Sequence, residues 1–150
     1  MAGQVVIYGG SGGIGAAVAR ALAGRGRPVH LVARREAELA SVARTLGATY
    51  AVADVQDAAS VSRATEEAAA RGPISGLVYA VGTINLKPVG RLSEADVQRD
   101  FEINALGAFR AVQAALPHLK AAEGDAAILL FSTVAVAQGF TAHASVAMAK

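Results

Sequence analysis

The residues whose types and spacing favour chemistry begin with a glycine-rich segment near the amino terminus. Tyr8 is followed by Gly-Gly-Ser-Gly-Gly-Ile-Gly15, which lies between an apolar run and an Ala-rich run of helical character. Because glycine lacks a β-carbon, such a segment can turn tightly and approach a diphosphate, whose charge then meets the free N–H groups at the start of a helix. The segment therefore predicts a dinucleotide-binding turn.

These glycines fit three dinucleotide-binding patterns at once. Gly10, Gly12 and Gly15 fit GxGxxG, Gly9 with Gly12 and Gly15 fits GxxGxxG, and Gly9 with Gly13 and Gly15 fits GxxxGxG. The alternative is a flexible turn with no ligand, which the strand before it and the helix after it disfavour. The residues alone leave the register open.

Two arginines follow the second apolar run, where an acidic residue would bind the adenosine ribose of NAD. Arg34 and Arg35 occupy that place instead. A guanidinium fork suits phosphate, so Arg34 favours NADP(H) over NAD(H), while Arg35 either assists or faces solvent at a helix start. Asp54, after the third run, is expected either to meet the adenine amino group or to cap the next helix.

Composition excludes several classes of function. The chain has 53% hydrophobic and 17% charged residues, a formal net charge of +2 and no cysteine. No basic stripe interleaved with aromatics favours nucleic acid, and His30, His118 and His143 are too scattered to indicate a metal site. No apolar run is long enough for a membrane span and no positive leader precedes the first strand, so a cytoplasmic protein with a small-molecule substrate is expected.

Short β-type runs alternate with helical stretches, which predicts an α/β fold with a parallel sheet. The strands are apolar at consecutive positions, as in a sheet covered on both faces. The stretches between them end at glycines, and residues 1–150 are expected to form one domain. The five predicted strands are Val5–Tyr8, Val29–Val32, Tyr50–Val52, Leu77–Ala80 and Ile128–Phe131.

With these features in order, the chain resembles the short-chain dehydrogenase/reductase family over essentially its whole length. The resemblance rests on the glycine loop, Asp54-Val55, Asn104, Ser132-Thr133 and the final Lys150. It implies a Rossmann-type doubly wound parallel sheet of about five strands with flanking helices, truncated at its C-terminal side relative to the family.

The resemblance also implies how the loop meets a cofactor. It selects the GxxxGxG register, with Gly9, Gly13 and Gly15 as its glycines and Ile14 as the apolar residue under the cofactor. Ser11 and Gly12 complete the loop, and Val55 adjoins the adenine side. Ala80-Val-Gly82 matches the family's Asn-Ala-Gly turn only at Gly82.

Four residue types cooperate in that family's chemistry: Ser, Tyr, Lys and Asn. Asn104 matches the asparagine that supports a proton-relay water, and Lys150 matches the lysine that holds the nicotinamide ribose. Thr133 occupies the serine position, with Ser132 beside it as an alternative hydroxyl. The tyrosine position, four residues before Lys150, is Val146.

Valine has no proton to give, and losing a positioned general acid costs about 10² to 10⁴ in rate. His143, three residues before Val146, is a candidate replacement because imidazole titrates near neutrality. His30 and His118 are expected to be structural or exposed. The leading hypothesis is an NADP(H)-dependent oxidoreductase acting on a carbonyl or alcohol with an altered acid-base centre. A non-catalytic NADP(H) sensor or scaffold is the alternative.

The last predicted strand, Ile128–Phe131, has no later strand in the chain to pair with. It is expected to leave an exposed sheet edge, which favours self-association. A homo-oligomer is therefore predicted.

Overall fold

The computed structural model describes residues 3–150, which form a parallel sheet flanked by helices. The five strands are β1 (Gln4–Tyr8), β2 (Val29–Ala33), β3 (Thr49–Val52), β4 (Ile74–Tyr79) and β5 (Ala127–Leu130). The helices are α1 (Gly13–Ala23), α2 (Glu36–Leu46), α3 (Ala58–Ala69), α4 (Glu94–Phe101), α5 (Gly107–Lys120) and α6 (Ala144–Ala149). Short 3-10 turns cover Val89–Arg91 and Val134–Val136, and a π-helical turn covers Glu102–Leu106.

The strand order is β3-β2-β1-β4-β5, and every pairing is parallel. The chain therefore winds outward from β1 in one direction through β2 and β3, then returns to add β4 and β5 on the other side. Between β1 and β4 the direction of winding reverses, which is where open α/β sheets bind ligands. The doubly wound fold predicted from the sequence is confirmed.

The sheet is covered on both faces, as the apolar strands predicted. One buried cluster joins β1 and β4 to α3 and α5 and includes Tyr8, Leu77 and Tyr79. The other joins β1 and β2 to α1 and α2 and includes Ile7 and Leu31. Side chains alternate between these clusters along β1, so this strand anchors both layers.

Helix boundaries follow local chemistry. Gly47 ends α2 in the left-handed conformation at φ 61°, which glycine adopts without a β-carbon penalty. Asp57 caps α3 by accepting from the Ala59 N–H at 3.0 Å. Ser93 and Asp96 form the capping box that opens α4.

Helices α4 and α5 form one continuous helical segment, with the π-helical turn between them. The sequence predicts a buried face made of Phe101, Ala105, Ala108 and Val112. This prediction is right only in part: Ala108 and Val112 are partly buried and pack against the core, Ala105 is partly buried, and Phe101 is exposed. The fully buried positions of this segment are Asp100, Ile103, Asn104, Gly107, Ala111, Ala115 and Leu119. A π turn holds more residues than an α turn, so it shifts which side chains face the sheet.

Strand β5 lies at the edge of the sheet, and all four of its residues are exposed. The exposed edge predicted from the sequence is confirmed. Within residues 3–150, none of the helices has the length and apolar character needed to cross a membrane.

Candidate cofactor-binding and active site

The glycine loop follows β1 at the carboxyl edge of the sheet, at the reversal of the strand order. Gly9 has a φ of 82°, and a β-carbon there would lie 2.8 Å from the main chain of Ala80. A β-carbon on Gly15 would collide with the carbonyl oxygen of Gly9. Two of the three glycines of the GxxxGxG register, Gly9 and Gly15, therefore require glycine for steric reasons.

Helix α1 begins at Gly13, where the sequence places the start of the phosphate-binding helix. Gly12 is its N-cap and makes no side-chain cap bond, and the first turn carries no acidic residue. Gly13 has open space where a β-carbon would stand, and Ile14 is 54% exposed. The N–H groups and positive end of α1 are thus open to an anion.

A cavity of about 220 Å³ lies between the loop and the ends of β2, β3 and β4. It brings together most of the residues that the sequence predicts as cofactor contacts. These are Gly9, Ser11, Gly12, Arg34, Arg35, Val55 and Gly82, with Tyr8, Val32, Ala33, Ala53, Ala80 and Val81 completing the wall. A glycine-lined cradle, a helix N-terminus and two guanidinium groups suit the diphosphate and phosphate groups of a dinucleotide.

Arg34 and Asp54 face each other across the ends of β2 and β3. Arg34 Nη1 lies 3.9 Å from Asp54 Oδ2, and the Arg34 side chain is 64% exposed. An exposed pair of this length holds the guanidinium weakly, so Arg34 can turn toward a ligand. Asp54 also accepts from the Gln56 N–H at 3.0 Å. The prediction that Asp54 caps the next helix is wrong, because the cap of α3 is Asp57.

Arg35 has a different setting from Arg34. It is the N-cap position of α2, and its Nη2 pairs with Glu38 Oε2 at 2.7 Å across the first turn. The guanidinium is therefore already engaged with a carboxylate on the surface, although Arg35 still lines the cavity.

Gly82, Asn104 and Lys150 converge on one point. A β-carbon on Gly82 would lie 2.7 Å from Lys150 Nζ and 3.0 Å from Asn104 Oδ1. The turn after β4 thus lies against both side chains and leaves no room for a larger residue. The structure brings together the asparagine and lysine that the family resemblance paired.

A second cavity, of about 460 Å³, is lined by Asn104 and Lys150. Most of its remaining wall is apolar and comes from β4, α5, β5 and α6, including Phe109, Leu130 and Met148. Burial lowers the pKa of Lys150 from its ordinary value of 10.5. An ammonium group with a lowered pKa releases its proton more readily, which suits a site of proton transfer.

Asn104 is fixed by the turn after β4 and by its own helix. Its Oδ1 accepts from the Thr83 N–H at 3.1 Å, and its Nδ2 donates to Thr83 Oγ1 at 2.9 Å and to the Asp100 carbonyl at 2.8 Å. Both ends of the amide are thus engaged, so its orientation is set without a ligand.

Two supporting residues escape sequence reasoning. Tyr79 Oη donates to the Ile103 carbonyl at 2.5 Å, inside the π-helical turn that carries Asn104. Asp100 accepts hydroxyl bonds from Thr83 and Ser145. In the sequence, Tyr79 looks like an ordinary strand residue and Asp100 like an ordinary residue of a helix surface.

The two candidate hydroxyls at the end of β5 have separate partners. Thr133 Oγ1 accepts from the Ala135 N–H at 3.3 Å and caps a 3-10 turn. Ser132 Oγ donates to the main-chain carbonyl of Lys150 at 3.4 Å. Ser132 therefore touches the helix end that carries the lysine, whereas Thr133 bonds locally.

Val146 lies on α6 and His143 lies at its N-cap, but neither lines the cavity with Asn104 and Lys150. Val146 is only 2% exposed. The ring Nδ1–H of His143 donates to the Thr141 carbonyl at 2.8 Å, and the ring packs beside Phe140. The structure thus gives His143 a contact within its own loop.

Among the described residues, no group of three His, Asp or Glu side chains is arranged to hold a metal ion. The charged groups near the site are instead the two arginines, Asp54, Asp100 and Lys150.

Comparison with known proteins identifies the class. The model of the family described as short chain dehydrogenase matches residues 4–150, and the chain belongs to that family. The resemblance seen in the sequence is confirmed, and with it a fold that binds a nicotinamide cofactor.

Individual relatives agree. A 3-dehydrosphinganine reductase of Arabidopsis thaliana is 35% identical over 137 residues, which is 86% of this chain and 41% of that protein. A galactitol 2-dehydrogenase (L-tagatose-forming) of Cereibacter sphaeroides is 35% identical over 72% of this chain and 44% of its own length. The chain therefore spans less than half the length of these relatives.

Solved structures share the fold. An alcohol dehydrogenase from the archaeon Thermococcus sibiricus, complexed with 5-hydroxy-NADP, superposes with a TM-score of 0.91 at 30% identity. The superposition covers 99% of this chain and 66% of that chain.

Proposed function

We propose that this chain is the cofactor-binding part of an NADP(H)-dependent oxidoreductase that acts on a carbonyl or alcohol group with an altered acid-base centre. The single observation that carries the proposal is the convergence of Asn104 and Lys150 on Gly82, beside the glycine cradle. Family membership supports a nicotinamide cofactor, which supplies or accepts hydride when bound.

Preference for NADP(H) rests on Arg34. Its guanidinium stands at the tip of β2 with only a long, exposed contact to Asp54 at 3.9 Å. A planar fork at this place suits a 2′-phosphate, while the acidic residue typical of NAD binding is not there. An alcohol dehydrogenase bound to 5-hydroxy-NADP among the similar structures also supports this preference.

The acid-base centre differs from the family at Val146. With no tyrosine at that position, the titratable side chains that line the larger cavity with Asn104 are Tyr79 and Lys150. The Tyr79 hydroxyl already donates to the Ile103 carbonyl, which leaves Lys150 as the candidate proton donor. We assign the proton that reaches the substrate oxygen to the Lys150 ammonium group, with Asn104 holding the polar side of the cavity. The tyrosine that is missing at position 146 is a positioned general acid in the family, and such a group contributes about 10² to 10⁴ in rate. The reaction is therefore expected to be slow for this family.

The test is NADPH oxidation by the full chain with a panel of ketones and aldehydes, alongside calorimetric binding of NADPH and NADH. Turnover with at least one carbonyl and tighter binding of NADPH support the proposal. Normal NADPH binding with no turnover on any member of the panel contradicts the catalytic part.

The second candidate function is a non-catalytic NADP(H) sensor or scaffold, and Val146 is the observation that favours it. Val146→Tyr distinguishes the two. A large gain in rate with unchanged NADPH affinity indicates that the rest of the site is competent for catalysis. No gain in a variant that keeps the wild-type melting temperature favours the sensor.

We also propose that the chain self-associates into a homo-oligomer. The four residues of β5 are exposed at the sheet edge, and an open parallel edge presents unpaired main-chain groups to another strand. Light scattering of the full chain should give a mass above that of the monomer, and a monodisperse monomer contradicts it.

A further inference from the structure

Asp100 is a carboxylate buried beside the candidate site. It is 2% exposed, and its two oxygens have different partners. Thr83 Oγ1 donates to Oδ1 at 2.6 Å, and Ser145 Oγ donates to Oδ2 at 2.5 Å. In the part of the chain that the structure describes, the ion pairs do not include Asp100. Hydroxyl groups, rather than a cation, hold this carboxylate.

Each partner leads to one residue of the candidate catalytic pair. On one side, Thr83 Oγ1 donates to Asp100 and accepts from Asn104 Nδ2 at 2.9 Å, while the Asp100 carbonyl accepts from the same Nδ2 at 2.8 Å. Asp100 therefore fixes the hydroxyl of Thr83 as an acceptor toward Asn104. This leaves Asn104 Oδ1 directed at the Thr83 N–H, next to Gly82.

On the other side, Ser145 belongs to α6, the helix that ends beside Lys150. This helix has only six residues, and so short a helix is not stable without tertiary contacts. Ser145 is fully buried, and its bond to Asp100 ties the first turn of α6 to the last turn of α4. The position of Lys150 depends on that connection.

We infer that Asp100 is a positioning residue that holds Asn104 and the Lys150 helix in register with each other through Thr83 and Ser145. An effect of this positioning on catalysis depends on the proposed function. Asp100 does not line either the cofactor cavity or the larger cavity, so it acts through these two hydroxyls.

A direct effect of charge on Lys150 is the competing explanation. Burial lowers the pKa of Lys150. A nearby carboxylate would raise a lysine pKa, which is opposite to the direction found. Geometry is therefore the means by which Asp100 influences the site.

The experiment compares Asp100→Asn, Thr83→Val, Thr83→Ser and Ser145→Ala in the full chain. Thr65→Val is the control, because Thr65 is a fully buried threonine whose hydroxyl bonds Tyr8 and the Val61 carbonyl, away from the site. Three quantities are measured: carbonyl reduction, hydrogen exchange of the Asn104 side-chain amide, and the pKa of Lys150 from its NMR titration.

Thr83→Val and Asp100→Asn should speed exchange of the Asn104 amide and lower kcat by about tenfold or more with NADPH KM nearly unchanged, since small misplacement of a reacting group is costly. Thr83→Ser keeps the hydroxyl, so its Asn104 amide exchange and its kcat should both stay close to the wild-type values. Ser145→Ala should move the Lys150 pKa toward its ordinary value and leave the Asn104 amide protected. Thr65→Val should change only the melting temperature.

The inference is overturned if Asn104 exchange and the Lys150 pKa are the same in all variants, or if kcat falls only in proportion to lost stability, as in the control. A wild-type chain without turnover in which both NMR quantities respond as expected would contradict the proposed oxidoreductase and leave the positioning role of Asp100 standing. The two failures are thus distinguishable.

Discussion

The hydroxyl of Tyr79 donates to the carbonyl oxygen of Ile103 at 2.5 Å, joining the end of β4 to the π-helical turn that carries Asn104. Gly107 makes room for this bond, since a β-carbon there would collide with the Tyr79 hydroxyl. Tyr79 is buried, and burial raises the pKa of its hydroxyl, so it stays protonated as a donor near neutrality. A strand residue thereby supports the irregular turn of a helix.

Tyr79→Phe should destabilise the protein by about 1 to 3 kcal/mol, because it leaves a buried carbonyl without its donor. Urea unfolding measures the change. Tyr50→Phe is the control, since Tyr50 is only partly buried and makes no side-chain hydrogen bond in the structure. Equal losses in the two variants would show that the Ile103 contact contributes nothing.

Gly82→Ala should impair the site with little loss of stability. The added methyl group would meet Lys150 Nζ at 2.7 Å and Asn104 Oδ1 at 3.0 Å, so both must move. Displacement on the order of 1 Å costs about 10² in rate, and kcat for carbonyl reduction should fall accordingly. Gly90→Ala, where a β-carbon meets open space, should behave as wild type. An active Gly82→Ala variant would place the reacting groups elsewhere.

Arg34→Ala should weaken NADPH binding by about tenfold and NADH binding much less, because only NADPH offers the guanidinium a 2′-phosphate. Calorimetric titration of both cofactors gives the two ratios. Arg35→Ala is the matched comparison, since Arg35 is already paired with Glu38 at 2.7 Å and should matter less. Equal weakening of NADPH and NADH by Arg34→Ala would remove it from 2′-phosphate recognition.

His30 should make the protein less stable in mild acid. Burial first, and then the charge of Arg71, lower the pKa of its ring from 6.5 to about 4. Its Nδ1 forms a hydrogen bond with Thr49 Oγ1 at 2.7 Å. Its buried Nε2 has no hydrogen-bond partner among the described residues, so no acceptor would stabilise a proton there. The unfolded chain therefore takes up the proton at a higher pH than the folded one.

Since the folded pKa is the lower one, this contribution is complete above pH 6.5 and is lost as the pH falls toward 4. The loss amounts to at most roughly 3 kcal/mol. Urea unfolding at several pH values should show it in the wild type and reduce it in His30→Gln. His118→Gln, which changes a surface histidine paired with Glu66, should keep the wild-type slope. A slope equal in all three proteins would exclude His30.

Much of the fold is predictable from the sequence because its signals are local. The five strands are apolar runs, and Gly9 and Gly15 are needed where the chain must turn closely against itself. Family resemblance then pairs Asn104 with Lys150. These features depend on short segments whose chemistry is readable without knowing what packs against them.

The rest depends on contacts between distant segments. The π turn at Glu102–Leu106 shifts the buried face of the helix, and its partner Tyr79 lies 24 residues away. Asp100 bonds Ser145 across 45 residues. Asp54 looks like a helix cap, but Asp57 fills that role because the helix begins at Ala58. No periodicity encodes such pairings.

Gly9 and Gly15 pack directly against each other in the glycine loop. The carbonyl of Gly9 fills the space that a side chain on Gly15 would need, and it also accepts from the Gly12 N–H at 3.0 Å. The loop is thereby preorganised before any nucleotide arrives, so little conformational entropy is left to lose on association. Affinity for the diphosphate then depends mainly on desolvation and charge, and a looser loop of the same composition would bind more weakly while making identical contacts.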